Sequence, residues 1–219
     1  MSTRRPRRRT AITLAIVAAL VAYAAIPRNA DLTAFDPSET ARLETLMWRH
    51  YYDKRFVALF ADLYALARDQ NGFSPLDSAR IALAAARAAR AFQPTTSRAE
   101  AQVAVPLLID YFAALSYGAP EPVDTVAAAR AELDWWQARR EQVRPETYGL
   151  TIARVTSLVY GIDDDEDVRA FGIVRAQAME FRDARGSRIT ETDWAAIEKQ
   201  LLAAYQRLKR AVSRRTKIG

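Results

Sequence analysis

The chain has 219 residues, half of them hydrophobic and 26% charged, with no cysteine, one histidine and a formal net charge of +6. That is enough apolar material for one sizeable core or two small ones. The missing cysteines exclude disulfides, thiol catalysis and thiolate metal sites, and a lone His50 excludes HExxH and multi-histidine zinc sites.

The charge is uneven. Five of the 32 Lys and Arg lie in residues 1–9 and six in residues 201–219, with no acid in either stretch, which leaves 21 against all 26 acids in between. The body is therefore mildly acidic, and no nucleic-acid partner is expected despite the basic balance. After the basic flank of residues 1–9 come seventeen residues without a charge, Thr10–Ile26, and then Pro27-Arg28. As a helix this run rises about 25 Å, slightly short of the roughly 30 Å hydrocarbon core of a bilayer. A basic flank ahead of an apolar stretch keeps the N-terminus in the cytoplasm. Residues 10–27 are expected to be a transmembrane anchor or, with Ala22-Tyr23-Ala24 as a small-x-small cleavage site, a signal peptide.

Residues 28–36 lack periodicity and read as a linker to a helical domain over 37–212, with a basic tail at 213–219. From Pro37 to Asp69 no glycine or proline interrupts, which predicts one long helix. Apolar residues on nearly every side from Phe56 to Ala67 predict a central position for its second half. Ser74-Pro75-Leu76-Asp77 opens an alanine-dense helix that suits close central packing. Ser97-Arg98-Ala99-Glu100 is a capping box for a helix to about Tyr117 that Pro106 should kink. Asp124 precedes a helix through Trp135 and Trp136 to about Val143. Two more follow, from Pro145 to Tyr160 and from Asp165 to Arg185, and Thr190-Glu191-Thr192-Asp193 opens the last. No alternating β-branched run appears. The expected fold is all-α, a single N-terminal hydrophobic segment followed by an orthogonal or up-down bundle of about seven helices.

Few residues carry chemistry. On one long helix, Glu44, Tyr51, Arg55 and Asp62 would share a narrow sector and could line a polar pocket, although ordinary polar neighbours on a half-exposed face look the same. Glu132 shares a face with Trp136, and the pairs Trp135/Arg139 and Trp136/Arg140 are spaced for arginine to stack on indole. His50 has no Glu-x-x-His context, so it is expected at a core or interface position and not at a metal. Five acids from Asp163 to Asp167 fail the EF-hand pattern, because Val168 and Val174 stand where glycine and glutamate are required; acids at a helix N-terminus explain them. Trp194, Ile197, Leu201, Tyr205, Leu208 and Val212 form one stripe of the last helix, which can dock on the core or, with its basic residues, lie on an anionic surface. No metal and no cofactor are expected.

Met47-Trp48-Arg49-His50-Tyr51-Tyr52 and the run from Glu132 to Arg140, with Arg175-Ala176-Gln177-Ala178 and Arg182-Asp183, resemble a family of all-helical bacterial proteins without a known activity. The resemblance covers about Glu39 to Val212 and implies a bacterial origin and a helical fold, nothing more. The resulting expectation is a single-pass protein of the bacterial inner membrane with its C-terminal domain in the periplasm, or a periplasmic protein after cleavage. Its partners are the membrane, through the N-terminal segment, and other proteins, in an interaction or scaffolding role. Two alternatives stand beside it: binding of anionic lipid or envelope polymer by the tail, and an enzyme or small-ligand binder with an interhelical pocket. Candidate pocket residues are Glu44, Tyr51, Arg55, Glu132, Arg139 and Arg182.

Overall fold

Helix starts are made by the side chains the sequence offers for them. Asp36 accepts from the backbone N–H of Ser38 and Glu39, both at 2.9 Å, Ser74 Oγ accepts from Asp77 N at 3.1 Å, and Asp124 accepts from Ala127 N at 3.0 Å. At the last helix the box is reciprocal: Asp193 N donates to Thr190 Oγ1 and Thr190 N donates to Asp193 Oδ2. The structure is a computed structural model describing residues 4–25 and 29–215, with side chains described from Thr10 to Ala24 and from Asn29 to Arg215. The basic-flank side chains, residues 26–28 and tail residues 216–219 lie outside the described residues.

Every regular element described is helical. In chain order they are α1 (Arg4–Ala25), α2 (Pro37–Tyr52), α3 (Phe56–Ala65), α4 (Pro75–Phe92), α5 (Arg98–Ala101), α6 (Val105–Ser116), α7 (Thr125–Arg140), α8 (Pro145–Tyr160), α9 (Glu166–Arg185) and α10 (Glu191–Arg215). The main core draws Leu108 and Phe112 from α6, Leu133 from α7, Ile152 from α8, Phe171 from α9 and Leu208 from α10. A smaller one joins Ala41, Ala178, Trp194, Ile197 and Leu201 where α2, α9 and α10 meet. The stripe of α10 docks on both. Helices α8 and α9 cross backbone to backbone. A Cβ on Gly172 would sit 2.1 Å from the Gly149 carbonyl oxygen, and one on Gly149 would sit 2.7 Å from Ile173 Cα.

Several expectations are corrected. The stretch from Pro37 to Asp69 is two helices, because the chain reverses at Asp53–Arg55 with Lys54 left-handed at φ 57°. The Arg55 N–H closes the first helix on the His50 carbonyl at 2.8 Å, and His50 Nδ1 meets Asp62 Oδ2 of the second at 2.6 Å. No glycine marks the break, and the tertiary pairing holds it. Helix α3 is not central: none of its residues is fully buried, and Val57 is 87% exposed. Helix α4 is an edge helix, burying Ser78, Ile81, Ala82 and Ala88 while Leu83 stays exposed. Pro106 does not kink a continuous helix. The chain passes from α5 through a 3-10 turn at Gln102–Ala104 and restarts with proline in the first turn of α6, where its missing N–H costs nothing. The linker is part of the domain, with Leu32 and Phe35 each 3% exposed and Leu32 N bonded to the Gly118 carbonyl.

Candidate functional site

Where α2, α4, α6, α7, α8, α9 and α10 converge, with Leu63 of α3 and the turn that follows it on one side, the bundle forms a partly open cavity of about 220 Å³. Its wall is mostly apolar, from Leu63, Leu66, Ile81, Phe112, Leu115, Val155 and Val159, but Thr40, Tyr111, Glu132, Tyr160, Arg175 and Tyr205 also face it. Arg175 reaches it because it replaces an apolar residue in the buried stripe of α9, which includes Val168, Phe171 and Met179. Its Nε donates to Glu44 Oε1 at 2.7 Å, and Tyr205 Oη donates to Glu44 Oε2 at 2.7 Å. Both oxygens of the buried Glu44 carboxylate are thereby occupied. Burial works against the charge of Arg175, but Glu44 foremost, and then Tyr205, outweigh it and hold the guanidinium above its ordinary value. Burial foremost, then the negative charge of Glu44, pushes Tyr205 well up, so its hydroxyl remains a donor.

Glu132 is placed differently. Its Oε1 accepts from Trp136 Nε1 at 2.9 Å, but no basic side chain pairs with it. Burial raises its carboxyl above the ordinary range, against the opposing pull of the Trp135 and Trp136 indoles and of Arg175. Thr40 also faces the cavity, and its hydroxyl is buried without a hydrogen-bond partner.

A second cluster lies outward along α7 and α9. Arg139 donates through Nε and Nη2 to Asp183 at 3.0 and 2.9 Å and also contacts the Tyr52 hydroxyl, while the Arg182 guanidinium lies over the Tyr52 ring. Burial opposes the charge of Arg139; Tyr52 and Asp183 outweigh it and leave it raised. A shallow recess beside it is lined by Tyr51, Phe92, Trp135, Trp136 and Arg139.

The six candidate residues therefore divide. Glu132 lines the cavity, and Glu44 stands beside it, holding the lining residues Arg175 and Tyr205; Arg139 and Arg182 meet at the outer cluster; Tyr51 lines outer recesses; Arg55 is exposed and joins neither site. The single-sector arrangement of Glu44, Tyr51, Arg55 and Asp62 fails because the helix breaks between Tyr51 and Arg55. Arginine does not stack on indole within α7 either. Arg140 lies over Phe92 and Arg175 comes from α9 to Trp135. Of the adjacent tryptophans, Trp135 is buried and Trp136 is half-buried against Phe92, as two residues about 100° apart on a helix require. The residues missed are Thr40, Tyr111, Tyr160, Arg175 and Tyr205. Their signal was a polar group inside an otherwise apolar stripe, clearest for Arg175.

Among the described residues no group of three or more His, Asp or Glu side chains is placed to hold a metal ion. The acids at the start of α9 serve α10 instead: Asp165 and Asp167 pair with Arg214, and Asp167 also with Arg210. Arg215 pairs with Glu121 and donates to the Gly161 carbonyl at 2.9 Å. No protein-family model, curated protein or solved structure matches the chain.

Proposed function

We propose that the chain is a tethered helical domain with an interaction role at a bilayer, facing the periplasm of a bacterial inner membrane. In this reading one N-terminal apolar segment precedes the bundle and spans the membrane, and the α3–α4 face of the domain rests on the lipid. The carrying observation is an uncovered apolar surface in two places that adjoin. Helix α1 leaves Leu14, Leu20 and Val21 more than 60% exposed, and it comes alongside α4. On the domain, Phe56, Val57 and Phe60 of α3 are exposed next to an α4 stripe of Leu76, Arg80, Leu83, Arg87 and Arg90, also exposed. Leucine and arginine alternating along one helix face suit an anionic interface, where apolar side chains enter the headgroup boundary and guanidinium groups meet phosphates.

By length and hydropathy the stretch that passes as a span is Arg98–Ser116, and Thr10–Ala24 is a shorter apolar helix. Arg98–Ser116 is divided by the 3-10 turn and buries Leu108 and Phe112 in the main core, so we place it in the domain and α1 in the bilayer. Retention in membranes after an alkaline wash supports the tether, and release with a size shift that signal-peptidase inhibition abolishes favours the secreted form. The absence of cysteine makes the facial assignment directly testable. An environment-sensitive dye on Val57→Cys should shift to the blue in anionic vesicles, whereas one on Leu150→Cys of α8 should not. Equal response at both positions sinks the assignment.

A second reading, small-ligand binding, is supported by the central cavity, which Glu132 and Arg175 line from two helices, with Glu44 of a third helix holding Arg175. A third, lipid or polymer binding by the C-terminal tail, has less support, since Arg210, Arg214 and Arg215 are engaged in ion pairs with the domain.

A further inference from the structure

Four features of the cavity bear on what it would hold. Arg175 lines the space but is ion-paired with Glu44 beside it, which leaves Glu132 as a carboxyl without an ion-pair partner of its own, reached by Arg175 only through space. Its wall is rich in aromatic rings, since Tyr111, Tyr160 and Tyr205 face the space together with Phe35 and Phe112, beside the polar Asn71 and Thr156. Aromatic faces attract cations through the ring quadrupole, more so where water is excluded. One further polar atom, the hydroxyl of Thr40, is without a partner although the residue is only 4% exposed. Finally, the space exceeds the roughly 150 Å³ that holds a benzene and falls below the 300 Å³ or so at which drug-sized sites begin.

Resting on the small-ligand reading, we propose that the cavity is a receptor site for a small organic cation, an amine with a compact apolar body, whose ammonium group pairs with Glu132 among the tyrosine rings. The apolar body would lie against Ile81, Leu115 and Val155, and Thr40 would take a remaining polar contact. A buried carboxylate without an ion-pair partner of its own is costly, and a cation of matching size relieves that cost directly. The raised position of the Glu132 carboxyl fits an acid waiting for such a partner. Leu63, Leu66 and Ala67 wall one side of the space, where α3 has no fully buried residue and passes into the π-helical turn Leu66–Gln70.

The test uses the full chain in nanodiscs, with empty nanodiscs as blank, and three probes of one shape: benzylamine, benzyl alcohol and benzoate. Calorimetric titration should show benzylamine binding at least tenfold more tightly than either of the others. Glu132→Gln, checked for folding by its melting curve, should remove that preference. Leu115→Phe, which narrows the space without touching Glu132, should weaken benzylamine. Equal or tighter binding of the alcohol or of benzoate overturns the cation assignment while the ligand-binding reading survives. No binding of any probe at millimolar concentration overturns both. The three-probe comparison on the unaltered chain decides the class even if Glu132→Gln does not fold.

Discussion

The two sides of the domain are packed by different rules. From α7 to α10 the helices meet closely enough that two glycines bring α8 and α9 into backbone contact, and the apolar stripes of α9 and α10 are covered. Around α3 and α4 the sequence is at least as apolar, yet Phe56, Val57, Leu76 and Leu83 remain exposed. Hydrophobic content alone therefore does not say where a core lies. What separates the sides is whether another helix arrives to cover the face. On the packed side even charge is taken inside, as Arg175 with Glu44, whereas on the open side arginines stand between exposed leucines. The cavity lies at the seam, lined on one side by α6 to α10 and on the other by Leu63, the turn after α3 and Ile81 of α4.

The difference is open to substitution. Glu44→Ala should have the largest effect, because it leaves Arg175 charged and buried without its partner. A loss of about 3–5 kcal/mol in denaturant unfolding is expected, and a much smaller loss would mean that water reaches the pair. Gly172→Ala drives a methyl into the α8 backbone and should cost on the order of 1–3 kcal/mol, read from the same curves. An unchanged midpoint there would show that α8 and α9 are further apart than described.

At the seam the effect has the opposite sign. Glu132 is held above its ordinary 4.5 by burial first, against the Trp135 and Trp136 indoles and Arg175, with Glu44 adding to the rise. A carboxyl raised in the folded state binds its proton more tightly there than in the unfolded chain, so stability falls as pH rises from about 4.5 towards the folded value. Glu132→Gln should thus melt higher than the parent at neutral pH, with the gap closing on acidification below that point. A gap that persists in acid would place the benefit elsewhere.

Asp167 works in the other sense. Its hydrogen bond from Arg210 chiefly, with Arg214 adding to it, holds its carboxyl below the ordinary 3.8. Its contribution is present above that value and is lost as pH falls through the lowered one. In Asp167→Asn the steepest part of the acid limb should flatten. On the open side, Val57→Ser should change stability by no more than about 0.5 kcal/mol while reducing vesicle binding. A destabilisation comparable to that of Gly172→Ala would show that α3 is covered after all.

Local chemistry was readable from single residues and short spacings. The caps at Ser74, Asp124 and Thr190, the stop at Gly186 and the stripe of α10 all follow from side chains reaching backbone within a few positions. The break at Lys54 was not readable, because its compensation, His50 with Asp62, comes from the pairing of two helices. Of the cavity wall the sequence singles out Glu132, and Glu44 beside it, while Arg175 stays hidden because a lone arginine in an apolar stripe has no meaning until its partner is placed.

The sequence by itself determined that the described chain is helical and where most helices begin, since those are contests between a residue and its neighbours within one turn. Only the tertiary structure decided which apolar faces stay uncovered, that Glu44 is matched by Arg175 and that Glu132 is left without a cation. Those outcomes depend on which helices lie against one another, and contacts between residues about 130 apart in the chain leave no local periodicity to read.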